Sequence, residues 1–153
     1  MEISVPPMMV WTAFCREAPV GIDVEEERDI PDLPDLTAQL HPQEQAELRR
    51  LPQGTRNTAF YRCWTRKEAV LKALGTGLFQ PLHSFRVSAG TETENWILSL
   101  PEADAAGHLA CPSLPEGWTS RGVPSPAGCQ CSVAAGAARR DVVACSWPQR
   151  PTR

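Results

Sequence analysis

The order of apolar and polar positions changes period several times along the chain, and each change marks an element. In residues 20–25 (VGIDVE) the period is two, with Ile22 and Val24 on one side of an extended chain and Asp23 and Glu25 on the other. A short apolar run at 8–15 (MMVWTAFC) precedes it across a turn-like stretch at 16–19, so the two segments predict a β-hairpin. Residues 26–37 are acidic and broken by Pro31 and Pro34, which predicts an exposed loop. Residues 41–51 predict a short helix, with Pro42 at its first position, Arg49 and Arg50 in its last turn, and Pro52 and Gly54 ending it.

The strongest helical period runs from 57 to 74. Phe60, Cys63, Trp64, Lys67, Leu71 and Leu74 recur at three- and four-residue spacing, and Gly75 stands at the C-terminal cap. A neighbouring face carries Tyr61, Thr65, Glu68 and Lys72. Residues 85–88 and 95–100 predict strands, and 129–135 with 141–147 a closing strand pair within 129–148. Residues 101–128, rich in Ala, Gly, Pro and Ser, predict mostly loop with Trp118 as an anchor. The pattern is clearest over 10–100, and the whole of 1–153 is expected to be a single α/β (α+β) domain with a helix packed on an antiparallel sheet.

A length of 153 residues with 42% hydrophobic and 22% charged positions suits one globular domain and excludes disordered, collagen-like and coiled-coil classes. No apolar run is long enough for a membrane span, and a net charge of −3 gives no general attraction to polyanions, so neither a membrane nor nucleic acid is expected as a partner. The start carries Glu2 and two prolines in place of a basic and apolar leader, from which a cytoplasmic protein with reduced, mostly buried thiols is expected at its six cysteines. Against the acidic background, Arg49, Arg50, Arg56, Arg62 and Arg66 form a basic stretch, either a solvated helix face or a steering patch. The three histidines, His41, His83 and His108, lie in unlike contexts and suggest no site.

Asp23, Glu25 and Glu68 are the acids with chemical potential. If the long helix packs near the acidic face of the strand, they converge into a hard-oxygen site suited to Mg²⁺. Spacing alone favours the alternative: an exposed strand edge, and a Glu68–Lys72 surface pair worth a few tenths of a kcal/mol.

Two segments carry more than spacing. Gly21-Ile22-Asp23-Val24-Glu25, followed by Trp64-Thr65-Arg66-Lys67-Glu68-Ala69-Val70-Leu71-Lys72-Ala73-Leu74-Gly75, resembles the paired signature of the 4'-phosphopantetheinyl transferase superfamily, with every motif position matched. The resemblance implies transfer of the 4'-phosphopantetheine arm of coenzyme A to a serine of an apo acyl, peptidyl or polyketide carrier protein. It implies Mg²⁺ held by Asp23, Glu25 and Glu68, with Glu68 activating the serine and Lys72 steadying the leaving phosphate. Lys67 would point at the coenzyme phosphates or else lie along Trp64. The likeness is to the C-terminal half of the long, two-half branch. Where that branch has a Ser-His-Ser motif, this chain reads Ser4-Val5-Pro6-Pro7. The resemblance therefore implies either impaired transfer or a homo-oligomer in which a neighbour completes the cleft. A non-catalytic module that keeps the fold and binds a carrier protein or nucleotide is the alternative.

Overall fold

The computed structural model describes residues 10–76, 79–90, 94–102 and 114–145. Among the described residues, five strands and three α-helices follow in the order β1 (Val20–Glu26), α1 (Leu33–Thr37), α2 (Pro42–Arg50), α3 (Gln53–Leu74), β2 (Arg86–Val87), β3 (Ile97–Ser99), β4 (Thr119–Gly122) and β5 (Cys129–Ala135). Strands β1, β5 and β4 form an antiparallel sheet in that order, and β2 pairs with β3 in a second, two-stranded one. The long helix α3 lies across the three-stranded sheet, an α+β arrangement of helices on antiparallel strands.

Helix α3 starts four residues earlier than its apolar period predicts. Pro52 takes an extended backbone before it, and Gly54, expected to end the preceding helix, sits inside the first turn of the next. Its C-terminus is capped by Gly75 at φ 71°, whose N–H bonds back to the Leu71 and Lys72 carbonyls. Helix α2 starts at His41, whose ring nitrogen accepts from the Gln43 N–H while the Glu44 carboxylate takes the His41 N–H. The segment 26–37 is not all loop: Pro34 falls in the first turn of α1, where its missing N–H costs nothing.

Strand pairing departs furthest from expectation. Residues 10–19 form no strand, and β1 pairs instead with β5, more than a hundred residues on, from Val20 opposite Ala135 to Glu26 opposite Cys129. The second neighbour of β5 is β4, inside the stretch expected to be loop, whereas 141–145 form no strand. Trp118 does anchor that region, buried at the head of β4. Residues 146–148 lie outside the described residues.

The core joins Leu40 and Leu48 under α2, Phe60, Cys63, Val70 and Leu71 of α3, and Phe85, Val87 and Trp96 of the smaller sheet. Burial of these apolar faces is the main stabilising term. Among the described cysteines all are free thiols; Cys63 and Cys131 are buried, the latter with its thiol pushed up to about 11 by burial, and Cys145 is exposed.

Candidate functional site

The face of β1 that meets α3 is the acidic one, and this reverses the simplest amphipathic expectation. Gly21, Asp23 and Glu25 share a face by alternation. A Cβ built on Gly21 would stand 2.0 Å from the Ala69 carbonyl oxygen, 2.5 Å from the Ala73 nitrogen and 2.9 Å from Lys72 Cβ. Ala69 and Ala73, one helical turn apart, leave the backbone of α3 bare at that point, so strand and helix touch main chain to main chain. Further along the same face the Thr65 and Ser132 hydroxyls lie 3.0 Å apart, tying α3 to β5 directly opposite Asp23. Ile22 and Val24 point to the other side of the sheet and are only half-buried.

This contact brings Asp23, Glu25, Glu68 and Lys72 together. Asp23 is buried, and its Oδ1 accepts from Lys72 Nζ at 2.7 Å; the same ammonium donates to the Ile22 carbonyl at 3.1 Å. Burial raises the Glu25 carboxyl above its ordinary value, and the neighbouring Asp23 and Glu68 add to the rise against the opposing pull of Lys72. Glu68 is raised in the same way, by burial first and then by Asp23. Such crowding of like charges costs stability unless a cation compensates it.

Among the described residues no three His, Cys, Asp or Glu side chains are gathered tightly enough to hold a metal ion as they stand. The cation in this cluster is Lys72. Its fit to a further cation is tested by Asp23: Oδ2 is buried and has no hydrogen-bond partner, leaving an acceptor on a carboxylate that the protein has otherwise sealed from water. The chemistry of such an oxygen fits a hard divalent ion, toward which Glu25 and Glu68 would add oxygens from the neighbouring strand position and helix turn.

Lys67 lies elsewhere, and its expected role toward phosphate is corrected here. Its side chain is fully buried, with Nζ 2.9 Å from Glu44 Oε1 and 2.7 Å from each of the Leu82 and Phe85 carbonyl oxygens. Three acceptors use the three protons of an ammonium, so the pair is ionised even though burial pushes Lys67 down and Glu44 up. The aromatic neighbour of Nζ is Phe85, 4.1 Å from the ring centre, and not Trp64. Glu44 also accepts the Val87 N–H at 2.8 Å, which makes the pair a strut between α2, α3 and β2. The wording of the motif gives no hint of this partner, 23 positions earlier in the chain.

The basic stretch is divided in the same way. Arg66 is buried over the Trp96 ring and donates to the Ser88 carbonyl. Arg56 bonds the Leu51 and Arg49 carbonyls. Arg49 and Arg50 are exposed. Beside Glu25 opens a groove of about 280 Å³ lined by Ile30, Leu36, Phe60, Tyr61 and Trp64, of which only Phe60 and Trp64 belong to the apolar period of the helix and Ile30 and Leu36 come from the segment expected to be an exposed loop.

A family model for the 4'-phosphopantetheinyl transferase superfamily matches residues 19–112. Over 67 residues the chain is 36% identical to the 4'-phosphopantetheinyl transferase gsp of Aneurinibacillus migulanus, a match covering 44% of this chain and 28% of that protein. Over 60 residues it is 43% identical to the 4'-phosphopantetheinyl transferase HetI of Nostoc sp. (strain PCC 7120 / SAG 25.82 / UTEX 2576), covering 39% of this chain and 25% of that one. The matches thus span about a quarter of the length of these two relatives. Among solved structures, the apo-ACPS structure from Chronobacterium ammoiniagenes overlaps with a TM-score of 0.48 at 14% identity, over 77% of this chain and 94% of that one.

Proposed function

The chain belongs to the 4'-phosphopantetheinyl transferase superfamily, and from that premise we propose that it transfers the 4'-phosphopantetheine arm of coenzyme A to a serine hydroxyl of an apo acyl, peptidyl or polyketide carrier protein. The observation that carries the reading is the unpartnered, buried Oδ2 of Asp23 inside a cluster of Glu25, Glu68 and Lys72. In this reading Asp23, Glu25 and Glu68 hold Mg²⁺, which when bound offsets the charge developing on the transferring phosphoryl group.

The chain's own groups do the remainder. The serine oxygen forms a bond to the phosphorus next to the pantetheine arm as the bond from that phosphorus to the bridging oxygen breaks, and 3',5'-ADP leaves with the electron pair. The serine proton passes to Glu68, or to a water it holds. Lys72, whose side chain is half-exposed, steadies the leaving phosphate. The apolar groove beside Glu25 lets a carrier surface bury side chains next to the reacting atoms, and Arg49 and Arg50 attract an acidic one.

Incubation with coenzyme A, Mg²⁺ and an apo carrier protein, followed by intact-mass spectrometry of the carrier, tests the proposal. Gain of one phosphopantetheine arm, abolished by Asp23→Asn, is expected. A carrier that binds but keeps its mass at every time point, with saturable coenzyme A binding by calorimetry, would refute transfer and leave a binding module.

A further inference from the structure

We propose that Lys72 is a tethered counter-cation: its ammonium occupies Asp23 until a divalent ion takes that carboxylate, so that lysine and metal compete for one residue. The inference rests on the metal-holding role proposed above for Asp23, and adds that the protein carries its own competitor for that role.

The two ends of the Lys72–Asp23 pair are unequally placed. The side chain of Asp23 is 8% exposed and that of Lys72 51%. A buried carboxylate without a cation is costly, because desolvation penalises the ionised form. An ammonium on a flexible four-carbon stem, in a side chain that is half-exposed, loses little on leaving, since water replaces its partners. The pair can therefore exchange its cation but not dispense with one. Lys72 also does the job incompletely. It reaches Oδ1 and the Ile22 carbonyl, and Oδ2 stays without a partner. Glu25 and Glu68 lie close enough to act on the same site, so three carboxyl groups share the Lys72 ammonium, and only Glu25 also feels the exposed Arg28. A divalent ion supplies the second positive charge and a coordination site for the orphaned oxygen.

Position adds to the case. Lys72 lies in the last turn of α3, where the aligned peptide dipoles favour a cation, so the ammonium keeps a favourable field after leaving Asp23. Gly21 pins the helix backbone to the strand beside it, so the exchange needs only side-chain rotation.

Mn²⁺ alone, without coenzyme A, is the probe, with binding read by electron paramagnetic resonance at neutral pH. Lys72→Gln removes the competitor and is expected to bind Mn²⁺ about tenfold more tightly than wild type, whereas Lys72→Arg, which keeps the charge, stays within about threefold. An affinity for Lys72→Gln equal to or weaker than a measurable wild-type affinity overturns this inference and leaves the metal site standing. No saturable Mn²⁺ binding in either protein overturns both. A second measurement does not depend on the folding of a variant. In wild type, the nitrogen-15 and proton signals of the Lys72 ammonium are expected to move to free-lysine positions as Mg²⁺ saturates; signals that stay in place at saturation refute the exchange.

Discussion

Replacing Gly21 by Ala tests whether contact between main chains sets the site. The added Cβ would lie 2.0 Å from the Ala69 oxygen and 2.5 Å from the Ala73 nitrogen. Ordinary contact is about 3.5 Å, so strand and helix must part by roughly 1 to 1.5 Å. Neither neighbour can yield locally, because both atoms belong to the backbone of α3, and the Ala69 oxygen and Ala73 nitrogen are spaced as an i to i+4 helical pair. Overpacking of this kind costs about 1–3 kcal/mol. Moving β1 away also opens the 2.7 Å Lys72–Asp23 contact and the approach of Asp23 to Glu68. Catalytic geometry displaced by about 1 Å loses on the order of a hundredfold in rate. Urea unfolding, Mn²⁺ binding and carrier modification are measured on Gly21→Ala, with Gly54→Ala as control. The control position has nothing within 4 Å of an added Cβ and lies in the first turn of α3, so it should be neutral or stabilising by up to about 1 kcal/mol. If Gly21→Ala unfolds within about 0.5 kcal/mol of wild type and binds Mn²⁺ equally well, the close approach does not hold the site together and the reasoning fails.

Lys67→Met should destabilise by about 3–5 kcal/mol, since it leaves Glu44 charged and buried, and combining it with Glu44→Gln should recover part of the loss; strictly additive effects in urea titrations would contradict the strut. Thr65→Val should cost about 1–3 kcal/mol by leaving the buried Ser132 hydroxyl without its partner, seen as a lower unfolding midpoint. Because Glu25 and Glu68 are raised, protons compete with metal at a higher pH than for ordinary glutamates, so Mn²⁺ affinity should climb as pH rises through that raised range and then level off. The same raised groups act oppositely on folding: their contribution is fully present below the ordinary glutamate value and is lost as pH rises through the raised one, so replacing both by Gln should flatten stability against pH across that window.

Much of this architecture is local and could be read along the chain. Helix α2 follows from Pro42 and the arginines of its last turn, and the end of α3 from Gly75, because capping and periodicity involve neighbours within a few residues. The alternation of 20–25 and the long helical period fixed which acids could share a face, and the paired motif named the family that residues 19–112 match. Three things waited for tertiary structure. The first was the partner of β1: proximity along the chain favoured 8–15 over 129–135, but edge hydrogen bonds are the same for any strand and the choice depends on what the remaining chain can cover. The second was β4, whose four residues, Thr119 to Gly122, have no alternation and become a strand only by adding to β5. The third was the division of labour between two lysines five positions apart. Both fit the motif, but α3 turns Lys67 into the core, where Glu44 of α2 pairs with it and two carbonyls accept its remaining protons, and presents the half-exposed Lys72 to the buried Asp23. A side chain's chemistry depends on the charges and solvent around it, and those come from segments far away in the sequence.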